Sequence, residues 1–121
     1  MPENVRATGL ALWHRRRLTL GLSVATFYGV VTWDERKRDA NLRRHGLDFE
    51  GCETVFDYPV ITREDTRKAY GEQRISLLGW LDGQVVQLTY TERGEDLHVI
   101  SLREATKYET RTYFKVLSRE P

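Results

Sequence analysis

The chain has 121 residues, 40% of them hydrophobic and 31% charged, with three prolines, nine glycines and one cysteine, Cys52. That size fits one domain with a modest core, and the composition excludes collagen-like, low-complexity and disulfide-stapled classes. The formal net charge of +1 announces neither a nucleic-acid nor a membrane partner, so any polyanion site must be a local patch.

Charge is nevertheless uneven along the chain. Residues 1–30 carry four arginines against Glu3, whereas the remainder is slightly acidic. Leu18–Val31 follows His14-Arg15-Arg16-Arg17 and has the outline of a signal peptide. Its apolar run is interrupted by Thr19, Gly21 and Ser23, and it falls short of the roughly 20 residues a membrane span needs. Residues 1–29 are therefore read as an N-terminal extension, poorly ordered or preceding the true start, and residues 30–121 as the functional domain.

In that domain, Val30-Val31-Thr32 suits a short strand. Asp34 to His45 reads as a helix: Thr32 and Glu35 have capping-box spacing, Asp34 is the alternative N-cap, and Arg43, Arg44 and His45 precede the C′ residue Gly46. A second short helix is expected over Asp48–Phe56, with Phe49, Cys52, Val55 and Phe56 at helical spacing and Pro59 ending it. A loop with a short strand near Val60-Ile61-Thr62 leads to Arg74–Leu81 and Gln84–Thr91, which flank the type I′ signal Asp82-Gly83. In the latter strand Val86, Leu88 and Tyr90 share one face, and Gln87, Thr89 and Thr91 the other. After Leu97–Leu102, Ser101 and Glu104 have capping-box spacing and predict a last helix to about Leu117, with Ala105, Tyr108, Thr112, Val116 and Leu117 on its apolar side. The expected fold is α+β: an antiparallel sheet of three to four strands, two N-terminal helices and one C-terminal helix.

Lys37, Asn41 and His45 stand at i, i+4 and i+8 of the first helix, and five basic residues between Arg36 and Arg44 face one acid. Such a stripe suits a phosphate backbone; it also suits an acidic partner segment or plain solvent. His45 closes the helix, and imidazole exchanges protons near neutrality. Arg103 falls in the first turn of the expected last helix, where free N–H groups already favour an anion; a salt bridge with Glu104, Glu109 or an acid of a neighbouring strand is the alternative. Arg74 shares a strand face with Ser76, and Glu109 and Tyr113 are neighbours on the last helix. Three scattered histidines and one cysteine have no ligand spacing, so no metal or cofactor is expected.

Taken in order, Trp33-Asp34-Glu35, Lys37, Asn41, His45-Gly46, Phe49, Gly71-Glu72, Arg74, Gly79, Tyr90-Thr91-Glu92-Arg93, Ile100-Ser101, Arg103, Ala105, Glu109 and Tyr113 resemble the signature of the BrnT toxins. The resemblance runs from about Val31 to Leu117, with Arg44 in place of the usual Lys and His98 where the family often has Arg. It implies a RelE-like fold and a cytoplasmic, metal-independent endoribonuclease that arrests translation. It also implies a BrnA-type ribbon-helix-helix antitoxin, operator DNA bound only through the toxin–antitoxin complex, and no membrane partner. On this reading Arg74 and Arg103 carry the phosphate charge of the transition state and His45 or Glu109 moves protons. Tyr113 stacks or donates a hydrogen bond, and Lys37, Asn41 and Arg44 hold the RNA strand. The competing reading is a non-catalytic module that binds RNA or the antitoxin.

Overall fold

The computed structural model describes residues 5–18, 24–65 and 71–118, with side chains from Gly29 onward within those ranges. Its strands are β1 (Val5–Leu18), β2 (Val24–Asp34), β3 (Ile61–Glu64), β4 (Ile75–Leu81), β5 (Gln84–Arg93) and β6 (Asp96–Glu104). Its helices are α1 (Glu35–His45) and α2 (Lys107–Leu117). The strands form one sheet in the order β1-β2-β6-β5-β4-β3. All neighbours run antiparallel except β2 and β6, which pair in parallel through Val31–Leu97, Thr32–His98 and Trp33–Val99.

This corrects the expected layout of three to four antiparallel strands. β2 runs far beyond Val30–Thr32 and inserts between β1 and β6, which makes the sheet mixed and six-stranded. The expected extension over residues 1–29 lies partly outside the described residues; where the backbone is described, β1 pairs with β2 from Val5–Asp34 to Leu18–Val24. The boundary expected at residue 30 falls inside β2.

Local signals account for α1. Asp34 accepts a hydrogen bond from the Arg36 amide at 2.8 Å, so it is the N-cap, and the Thr32–Glu35 capping box does not form. Gly46 adopts φ 73° and donates to the Leu42 carbonyl, ending the helix as a left-handed C′ residue. The expected second α-helix is a six-residue 3-10 segment, Cys52–Asp57. Gly51 at φ 88° breaks any helical run begun at Asp48, whose carboxylate instead accepts from the Glu50 amide at 3.0 Å. The Asp82-Gly83 hairpin forms as expected, both residues taking positive φ.

The last helix starts later than expected. Two sequences with capping-box spacing lie five residues apart, Ser101–Glu104 and Thr106–Glu109, and the second one caps α2 with both reciprocal bonds. The first is absorbed by the sheet: Ser101 pairs with Thr89, Glu104 with Val86, and the Ala105 amide donates to the Val85 carbonyl. Ladder bonds and the complete burial of Leu102 outweigh a cap worth about 1 kcal/mol. The buried face of α2 also moves, for Tyr113 is buried while Tyr108 is 71% exposed.

One face of the sheet makes the core. Val31, Trp33, Leu77, Leu88, Tyr90, Leu97, Val99 and Leu102 pack there against Phe49 and the 3-10 residues Cys52, Val55 and Phe56. Gly79 sits where this segment comes closest; a Cβ there would lie 3.3 Å from the Val55 side chain and 3.0 Å from Leu77. The opposite face is polar, and α1 and α2 stand beside it. At its far end Phe114 of α2 meets Trp80 of β4 edge-on at 6.2 Å.

A β-bulge shapes that polar face. Thr89 pairs with Ser101 but Tyr90 pairs with Val99, leaving Ile100 without an opposite residue. Beyond Val99, β6 no longer has β2 beside it. Asn41 of α1 takes the vacant edge: its Nδ2 donates to the Leu102 carbonyl at 2.8 Å, and its Oδ1 accepts from the Leu102 amide at 3.1 Å. This paired contact imitates a strand neighbour and seats α1 against the bulge.

Candidate functional site

Two openings flank the bulge, and Ser101 lines both. The smaller, about 310 Å³, lies between α1 and β6 and is walled by Arg36, Lys37, Ala40, Asn41, Arg44 and His45 facing Ile100 and Ser101. Helical geometry explains the wall. Positions 36, 40 and 44 form one row and 37, 41 and 45 the next, and the Asn41 anchor turns both rows to the sheet.

The four basic side chains of this cleft, Arg36, Lys37, Arg44 and His45, are exposed and make no ion pair or side-chain hydrogen bond among the described residues. Among the described residues no carboxylate lines the cleft. Arg38, which swells the basic count of the sequence, is excluded from it by pairing. Its guanidinium holds Asp48 through two bonds of 2.6 and 2.8 Å and Glu35 through one of 2.7 Å, and sits 5.9 Å from the Trp33 ring centre. This pairing raises the Arg38 pKa and lowers that of Asp48.

The larger opening, about 500 Å³, lies over the polar face of the sheet. Its floor is a row across four strands, Arg63–Ser76–Thr89–Ser101, with Gln87 and Arg103 in the adjoining register. Gln87 and Thr89 are buried, only 7% and 5% exposed. Glu64, Asp65 and Glu109 also line it, so among the described residues three acids face two arginines here.

Arg103 is not at a helix N-terminus, as the sequence suggested; it lies on β6. Its guanidinium grips Glu109 through two parallel bonds of 2.9 and 3.0 Å and also donates to the Glu104 carbonyl. Hydrogen bonds from Arg103, aided by those of the α2 cap, pull the Glu109 carboxyl from its usual 4.5 down to about 2, against a smaller opposing effect of burial. A carboxylate so stabilised is a weak proton acceptor.

Arg74 does not join Arg103. Ser76 reaches the cavity, but Arg74 stands one pleat repeat away, roughly 7 Å, with its Nε 3.9 Å from Glu72, which also holds Arg93 at 3.6 Å. The expected pairing of these two guanidinium groups in one hollow is thus corrected by register and by their carboxylate partners. Tyr113 lines neither opening: it is buried and its hydroxyl donates to the Pro59 carbonyl at 2.7 Å. Burial raises its pKa. Asn41 reaches the cleft wall, but both its amide ends are engaged with the backbone, with Leu47 accepting at 3.0 Å in addition to Leu102. It is a positioning residue.

Lys37, Arg44 and His45 do come together as the sequence suggested, and the structure adds Arg36 and Ser101. Arg36 was legible from its i, i+8 relation to Arg44; Ser101 was hidden behind its misread capping role. His98, without a visible partner in the sequence, lies 2.8 Å from the Thr32 hydroxyl through its Nδ1. Burial, then the charge of Arg93, lowers its pKa. Among the described residues no three of His, Cys, Asp and Glu gather to hold a metal ion, and no helix is long and apolar enough to cross a membrane.

Comparison with known proteins gives one family finding. Residues 33–109 match the family described as the ribonuclease toxin, BrnT, of type II toxin–antitoxin systems. That span opens at the tryptophan before α1 and closes at the carboxylate that holds Arg103, so it includes both openings. No curated protein matches the chain.

Proposed function

The chain belongs to the BrnT family of type II toxin–antitoxin ribonuclease toxins, and from that premise we propose that it is a metal-independent endoribonuclease whose phosphate site is the α1 cleft. One observation carries this reading: among the described residues, Arg36, Lys37, Arg44 and His45 converge unpaired on a cleft that no acid lines. Among the described residues that line the larger opening, carboxylates outnumber arginines, so these residues offer no comparable field.

Cleavage without a metal requires a base for the ribose 2′-hydroxyl, positive charge on the crowded phosphate and a proton for the departing oxygen. In this assignment the 2′-oxygen attacks the adjacent phosphorus, its proton passes to a base, and the P–O5′ bond breaks as O5′ takes a proton. The products are a 2′,3′-cyclic phosphate and a 5′-hydroxyl. Arg36, Lys37 and Arg44 supply the stabilising charge, and His45, at the same end of the cleft as Arg44, serves as the proton-transfer group. Glu109 is disfavoured for that role by its Arg103 pairing. Arg103 lies in the other opening and Arg74 in neither, so neither is assigned the phosphate.

Arrest of translation would follow from loss of message, a role exercised in the cytoplasm. A BrnA-type antitoxin would neutralise the protein, and operator DNA would be bound through the complex. The test is incubation of purified protein with RNA in EDTA, beside a Lys37→Ala/Arg44→Ala variant of unchanged fold. Discrete fragments from the wild type, and none from the variant, are expected. Intact RNA with a mobility shift would favour a binding module, and equal cleavage by the variant would remove the phosphate site from α1.

A further inference from the structure

We propose that the larger opening is a base-recognition pocket, which takes one nucleobase of the RNA held at the α1 cleft and selects guanine. The inference rests on the ribonuclease reading above and deepens it, because Ser101 is common to the two openings and so links a phosphate position to a base position.

The floor has a defined hydrogen-bonding polarity. The Gln87 amide donates to the Ser76 hydroxyl and, at 3.1 Å, to the Thr89 hydroxyl. Both of its N–H bonds are thereby used, which orients Gln87 Oε1 as an acceptor. Its remaining contact is a long one, 3.4 Å from Thr89. Ser76 accepts from Gln87 and keeps its own O–H as a donor, while the Thr89 hydroxyl accepts from the amide nitrogen and gives its O–H to Oε1 in that long bond. These groups satisfy one another within the protein, and a ligand N–H at ordinary length can replace the long contact at Oε1. They stand at the bottom of an opening of about 500 Å³, within the size range of small-molecule sites.

The walls supply the rest. Arg103 is pinned in one plane by its two bonds to Glu109, giving a rigid flat surface of the sort on which unstacked bases lie. Glu64 lies at the rim as an acceptor and Arg63 as a donor. Guanine alone among the four bases presents adjacent N–H donors, at N1 and N2, together with the acceptors O6 and N7. It matches a pocket where carboxylate and amide oxygens stand beside arginine and hydroxyl donors. Adenine, with an unprotonated N1 and an amino group in place of O6, presents the opposite polarity along that edge.

The experiment is calorimetric titration of the full chain with the 3′-monophosphates of guanosine, inosine, adenosine, cytidine and uridine. Guanosine monophosphate is expected to bind at least about tenfold more tightly than the adenosine, cytidine and uridine forms, with inosine between them. Gln87→Leu should bring all five to within about twofold; because Gln87 is buried, Glu64→Gln on the exposed rim gives a second variant, expected to remove the guanosine–inosine difference. Equal binding of all five by the wild type would overturn the proposal, as would a preference that survives in both variants. RNA cleavage blind to base identity would overturn it while leaving the ribonuclease reading intact. Guanosine-selective binding without cleavage of any RNA would defeat the ribonuclease reading and leave the pocket standing.

Discussion

Replacing Asn41 with alanine should unfold this protein far more readily than its place on a hydrophilic helix suggests. The amide makes three hydrogen bonds, two to Leu102 and one to Leu47, and the residue is only 7% exposed. At about 1 kcal/mol for each bond, and with the Leu102 amide and carbonyl left unpaired beside the bulge, the loss is about 3 kcal/mol. That is a large share of the roughly 5–15 kcal/mol of a typical domain. Urea denaturation followed by circular dichroism reads it directly. With a slope of about 2 kcal/mol per molar, the midpoint should fall by ~1.5 M. Asn41→Asp should be at least as damaging, since it sets a carboxylate oxygen where Nδ2 now donates to two carbonyls. Arg43→Ala, on the exposed side of the same helix and outside both openings, should stay within ~0.5 kcal/mol of wild type. If Asn41→Ala cost less than about 1 kcal/mol, or Asn41→Asp were harmless, the strand-mimicking anchor would be wrong.

Three further outcomes are expected. The folded-state pKa of Glu109 lies below its usual 4.5, at about 2, so its stabilisation is complete above pH 4.5 and drains away as pH falls toward 2. The full linkage would be about 3 kcal/mol, reduced by solvent screening at side chains 23% and 34% exposed to about 1–2 kcal/mol; Glu109→Gln should flatten the acid limb of a stability–pH curve by that amount. Lys37→Ala/Arg44→Ala should lower RNA affinity and make the log–log salt slope shallower by about 1.4, measured by fluorescence anisotropy; an unchanged slope would place the phosphates elsewhere. Tyr113→Phe removes one hydrogen bond to Pro59 and should cost about 1 kcal/mol in thermal or urea unfolding while leaving the RNA cleavage rate unchanged.

What could be seen in the sequence follows the range of the forces involved. The Gly46 terminator and the Asp82-Gly83 hairpin depend on neighbours a few residues away and form as expected, and of the two caps offered for α1 the alternative, Asp34, is the one that forms. Alternation along β5 likewise placed Val86, Leu88 and Tyr90 in the core and Gln87 and Thr89 on the other face. Arg103 was misplaced because two capping sequences competed, and the choice between them was made by pairing with β5. The role of Asn41 was invisible for a related reason: its main partner is a backbone unit 61 residues away. Spacing alone could still gather Lys37, Arg44 and His45, since a helix preserves its rows. It could not tell a free guanidinium from a paired one, which separates Arg44 from Arg38, Arg74 and Arg103.

The central claim is that the α1 cleft performs the chemistry, and His45→Ala tests it most directly. Single-turnover cleavage of a short RNA should slow by ~10²–10⁴ with RNA affinity within about threefold of wild type, and added imidazole should restore part of the rate. Wild-type cleavage by a folded His45→Ala protein would show that proton transfer occurs elsewhere and would contradict the assignment of the active site.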